Sequence, residues 1–143
     1  MRGTWDDVNR RLTGAILALD LHDVLTVGEQ VEQPRRGLLG LGRRHDPRPR
    51  RWASVTAAQH VLIAEVVGAT SFGGEWETDE AQVQRLERMG WQRPWSASMT
   101  TWQREAPLVR APNIALAVVR ALETLGCEVA DLEVSLTREE PDD

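Results

Sequence analysis

The sequence predicts an α+β domain of 143 residues in the order helix, three-strand meander, helix, strand, helix, with room for a last strand. Three stretches carry that prediction. Trp5, Val8, Leu12, Ile16 and Leu19 recur at helical spacing over residues 5–19. Residues 62–76, LIAEVVGATSFGGEW, form an apolar run that leaves through a glycine turn, as a strand does. Residues 86–91, LERMGW, read as a helix end stopped by Gly90, with Trp91 behind the stop.

The first helix opens on Thr4 and Asp7, a capping box with Asp in place of Glu or Gln. Residues 21–31 follow as a strand, with Leu25, Val27 and Val31 on one face and Glu29 as the exception. The periodicity then breaks over QPRRGLLGLGRRHDPRPR, whose Pro, Gly and Arg content marks a loop. Strands resume at 52–58 and 61–70, with Gln59 and His60 as the hairpin turn. Both faces of the second are mostly apolar, which predicts an interior strand covered on both sides. Glu65 within it is expected to be a rim carboxylate paired with an arginine.

Thr78 is the expected N-cap of a helix over 79–89, with Asp79 and Glu80 in its first turn. Residues 97–106 have strand propensity. Pro107 and Pro112 bound the next connection, Asn113 caps a helix to Leu125, and Gly126 ends it. Leu132, Val134 and Leu136 alternate as a short last strand. The expected organisation is a single domain over 1–136, a basic loop insertion at 33–51 and an acidic tail at 137–143.

Composition narrows the function classes. No apolar run reaches the length of a membrane span, and the N-terminus lacks a signal-peptide core, so a cytoplasmic protein is expected. Cys127 is the only cysteine, which excludes an intrachain disulfide and a cysteine-based zinc site. All seventeen basic residues are arginine. Residues 33–51 carry seven of them against one aspartate, a balance of +6, which leaves −11 on the rest of a chain of net charge −5. An acidic body thus bears a basic loop.

No catalytic constellation is present. His22, His45 and His60 lack metal-ligand spacing, and no carboxylate cluster accompanies them. Ser71 in ATSFGG lacks the spacing of a nucleophile elbow. Gly37, Gly40 and Gly42 lack the phosphate-loop spacing and its lysine. The expectation is a non-enzyme without cofactor or metal.

Taken together, RWASV…LIAEVVGATSFGG, LERMGWQRP and NIALAVVRALETLGC resemble the type III secretion chaperone and YbjN-like superfamily, in particular the bacterial TY-Chap domain. The resemblance runs from about Trp5 to Leu136. It implies an antiparallel sheet with helices packed on one face, a homodimer, and a chaperone-like module that holds an extended client segment. Two features depart from the family pattern: one strand between the second and third helices instead of two, and the long arginine loop.

Two surfaces emerge as candidates. Strand 97–106 places Trp102 with Ser98, Thr100 and Arg104 on a mixed face, so Trp102, Met99 and Thr100 are the candidate protein-binding residues. The alternative is an anion-binding adaptor for nucleic acid or an acidic surface, through Arg35, Arg36, Arg43, Arg44, Arg48, Arg50 and Arg51. The acidic body and the lack of a stacking aromatic in the loop weigh against nucleic acid. Among six tryptophans, Trp5, Trp52 and Trp91 suit packing between helices and sheet, whereas Trp76, Trp95 and Trp102 are less clearly internal.

Overall fold

The computed structural model describes residues 1–29, 51–68, 76, 78–96 and 98–138. Most of the arginine loop and the end of the tail lie outside these residues. In chain order the elements are α1 (Trp5–Leu17), β1 (Val24–Glu29), β2 (Trp52–Ala57), β3 (Val61–Val66), α2 (Glu80–Arg88), β4 (Trp102–Pro107), α3 (Ala111–Thr124) and β5 (Leu132–Thr137). The strands form one antiparallel sheet in the order β4-β3-β2-β1-β5. The last strand thus returns to the side of the first, with Glu29 opposite Leu132 and Val24 opposite Thr137.

Strand alternation divides the sheet into two faces, with Ser54 a buried exception on the side away from the helices. One face buries Leu25, Val27, Val55, Leu62, Ala64 and Val66 against the helices. Helix α3 supplies Ile114, Val118 and Leu122 to that core, and α1 supplies Val8, Leu12 and Ile16. The opposite face carries Thr26, Thr56, Ile63, Glu65 and Gln103, all partly exposed. β3 is therefore interior in the sheet, between β2 and β4, yet its Val61, Ile63 and Glu65 side is not buried as expected. Apolar side chains alone do not report cover, because β-branched residues also suit an open pleated face.

The helix ends explain several boundaries. Thr4 and Asp7 form the anticipated capping box, with Thr4 N–H donating to Asp7 at 2.8 Å. On α2 the cap is Asp79, one residue later than expected, because Gln82 stands three residues on and returns the bond to the Asp79 N–H. α3 begins at Ala111 with Pro112 in its first turn and no side-chain cap. Pro112 is thus part of the helix and Asn113 does not cap it, since a first-turn proline gives up only an N–H that has no helical partner.

Both α2 and α3 stop on a left-handed glycine. Gly90 has φ +92° and Gly126 φ +89°. At each stop the next residue reaches back into the helix: Trp91 N–H to Leu86 at 3.0 Å and Cys127 N–H to Leu122 at 3.1 Å. Each end also receives a guanidinium from the sheet. Arg104 Nη1 donates to the Met89 carbonyl, and Arg51 Nη1 to the Leu125 carbonyl at 2.8 Å. A cation at a helix C-terminus satisfies its free carbonyls and its dipole together.

Candidate functional site

A sheet of this topology has two edges, β4 and β5, and they differ. Along β4, Gln103 turns its backbone outward and is closed there by Gln92 through bonds of 2.8 and 3.1 Å. Two residues on, Glu105 faces outward, and Pro107 after it has no N–H to offer. The β4 edge is therefore blunted by a bridge at one end and a proline at the other.

Among the described residues, the β5 edge is open beyond Leu132. Glu29 N–H turns toward β2, to the Arg51 carbonyl at 3.0 Å. By alternation, Val24, Thr26 and Gly28 turn toward β5 and pair with Thr137, Ser135 and Glu133. Leu132, Val134 and Leu136 then direct their backbone groups away from the sheet. The Leu132 carbonyl confirms the direction by accepting from the Met1 amino group at 2.6 Å. Among the described residues, nothing pairs with the outward N–H and C=O groups of Val134 and Leu136. The Leu136 side chain beside them is 46% exposed, although Leu25, its partner in register, is 4% exposed. Main-chain hydrogen-bonding capacity and apolar surface coincide at this edge.

With that edge in view, the family comparison is decisive. Residues 1–134 match the family TY-Chap3, described as T3SS (YopN, CesT) and YbjN peptide-binding chaperone 3. The chain belongs to this family. No curated protein and no solved structure matches it.

The TY-Chap3 chain places the other candidate residues differently from the sequence expectation. Trp102 is 2% exposed and lies in the core rather than on a partly exposed face. It is paired with Val66 and packs against Gly68, where a Cβ would come within 2.8 Å of its ring. The strand expected from residue 97 begins only at Trp102. Ser96 and Ser98 divert the preceding segment into a turn, joined through their hydroxyls at 2.8 Å, with Ser98 N–H on Ser96 Oγ at 3.2 Å. Met99 and Thr100 sit partly buried in that irregular segment, with the Met99 carbonyl accepting from the Trp95 N–H at 3.2 Å. The exposed aromatic of the region is Trp95, at 53%, which lines a shallow cleft with Trp91, Gln92 and Arg93.

Arg51 is the one arginine of the basic loop among the described residues; Arg35, Arg36, Arg43, Arg44, Arg48 and Arg50 lie outside them. It is not a free anion ligand. Its Nε and Nη2 hold both oxygens of Glu29 at 2.8 and 2.7 Å, Nη1 caps α3, and its guanidinium lies 5.0 Å from the centre of the Trp76 ring. The hydrogen bonds from Arg51 hold the Glu29 carboxyl below the usual carboxylate range. Glu29, the exception to its strand's apolar pattern, is thereby explained. Glu65 has a different partner from the one expected: it accepts from the Thr101 hydroxyl at 2.9 Å, and no arginine pairs with it among the described residues.

Among the described residues, no group of three His, Cys, Asp or Glu side chains could hold a metal ion. Burial pushes the Cys127 thiol up to about 11. No helix of the described residues is long and apolar enough to cross a membrane.

Proposed function

We propose that this chain holds an extended segment of a client protein by adding it as a strand to the open edge of β5, without chemistry of its own. The family description as a peptide-binding chaperone supports a peptide ligand. The observation that carries the choice of edge is the outward backbone of Val134 and Leu136, unpaired among the described residues, beside a half-exposed leucine.

Magnitudes support a reversible holder. Two N–H and two C=O groups can form four hydrogen bonds, each with a net contribution of about 1 kcal/mol. About 4 kcal/mol corresponds to a millimolar Kd, so backbone pairing alone is weak. Covering apolar surface around Leu136 adds roughly 1 kcal/mol more. Tighter binding then depends on further side-chain contacts, which gives room for client selectivity.

The test is Leu136→Pro. Its outward N–H bonds nothing in the sheet, so proline removes a client-facing donor while sparing the β1–β5 ladder. Client capture is expected to fall at least tenfold with cooperative unfolding retained. Unchanged capture by a folded Leu136→Pro variant would eliminate the β5 edge as the site.

A further inference from the structure

This inference rests on the edge reading above and deepens it. We infer that the segment held on β5 alternates apolar with basic side chains. A strand added there places successive residues on opposite faces of the sheet. Those on the helix side fall beside Val134 and Leu136. The buried face of the sheet continues from Leu25 onto Leu136 and there runs out of cover. An apolar client residue extends the core at that point.

Residues on the other side fall beside Glu133, Ser135 and Thr137. Glu133 is exposed and stands opposite Gly28, which offers no side chain as a cross-strand neighbour. Among the described residues it has no ion-pair partner. Two further exposed carboxylates, Glu128 and Asp131, lead into the strand. Two cations stand near this edge and each has a partner: Arg138 is 4.0 Å from the Asp23 carboxylate, and the Met1 amino group donates to the Leu132 carbonyl at 2.6 Å. The edge thus presents negative charge beside unpaired backbone, within a body that carries −11 outside residues 33–51. A lysine or arginine opposite Glu133 supplies the missing partner. A second copy of β5 brings the same carboxylates, and its cations, Arg138 and the Met1 amino group, already stand beside Asp23 and the Leu132 carbonyl, so charge favours a basic client over self-pairing.

A cross-strand ion pair at an exposed position is modest, so the expected preference for basic over acidic segments is about tenfold, counting attraction and repulsion together. The acidic body adds a salt-sensitive gain in association rate.

The experiment uses the full chain and three synthetic peptides of equal length, alternating valine with arginine, with threonine or with glutamate. Binding is read by fluorescence anisotropy against wild type, Glu133→Arg and Leu136→Pro. The valine–arginine peptide is expected to bind wild type best, Glu133→Arg to favour the valine–glutamate peptide, and Leu136→Pro to lose all three. A valine–arginine peptide N-methylated at alternate residues tests the same backbone bonds without altering the protein, and is expected not to bind. Equal binding of the three peptides, with all lost on Leu136→Pro or N-methylation, would keep the edge and overturn the charge rule. Binding that survives both Leu136→Pro and N-methylation would show diffuse attraction and overturn both readings. Binding of none of the three would overturn both as well.

Discussion

Arg51 grips Glu29 at the point where β1 ends and β2 begins. The Arg51 backbone N–H and Nε both donate to Glu29 Oε1, at 2.9 and 2.8 Å, while Nη2 donates to Oε2 at 2.7 Å. Both side chains are about one-fifth exposed, 21% and 20%, so solvent screens the pair only in part. Removing the guanidinium strands the carboxylate and also uncaps the Leu125 carbonyl. Arg51→Met is expected to lower folding stability by about 2–3 kcal/mol, read by urea unfolding.

The same pair sets a pH dependence. Hydrogen bonds from Arg51 hold the folded Glu29 carboxyl below the ordinary glutamate value of 4.5. Its stabilisation is therefore complete above the unfolded value and is lost as pH falls through the lowered folded one. Wild type is expected to lose more stability than Glu29→Gln as pH falls below about 4.5. Parallel acid limbs for the two proteins in pH-dependent thermal unfolding would contradict this.

The sequence made the element order legible because each helix carries its own apolar stripe, and two end on glycines that need a left-handed turn. Trp102 was not legible. Its burial depends on Val66 and Gly68, which β3–β4 pairing brings near it from more than thirty residues away, and no local pattern encodes that. The open edge was equally hidden. Leu132, Val134 and Leu136 alternate and leave room for a last strand, but the next strand over, and on which side, is a property of topology. Arg51 looked like the last of a run of basic residues; only folding brings Glu29, Trp76 and the end of α3 around it.

Trp102 and Trp91 are now expected to behave alike. At 2% and 3% exposed, each fills core volume, so alanine at either position should cost about 3–5 kcal/mol. Gly68→Ala should also destabilise, by about 1–3 kcal/mol, because its Cβ would press on the Trp102 ring. Trp95→Ala, at an exposed position, should change stability little. Thermal unfolding of the four variants checks the ranking.

Gly14 lies inside α1, is exposed, and has nothing within 4 Å of where a Cβ would stand. Its cost is the extra backbone freedom of the unfolded chain. Gly14→Ala should raise stability by about 0.5–1 kcal/mol. A loss of stability on urea unfolding would mean that the open space beside α1 is filled in solution.

Cys127 closes the α3 stop with its N–H on Leu122 and buries its thiol at 6% exposure. Burial pushes the thiol up to about 11, and the nearby Arg51 opposes that only in part. The thiolate, not the thiol, reacts with alkylating reagents. At pH 8 the native chain should therefore resist iodoacetamide, while the urea-unfolded chain, with a thiol near the ordinary value of about 8.5, reacts readily. Arg51→Met removes a cation that lowers the thiol but also removes the cap on the Leu125 carbonyl; loosening of the α3 end over the buried Cys127 is expected to outweigh the lost cation and quicken native labelling. Mass spectrometry over a time course separates these cases. Rapid native labelling of wild type would show that the Leu122–Cys127 stop opens freely, and that the Arg51 contact does not hold the end of α3.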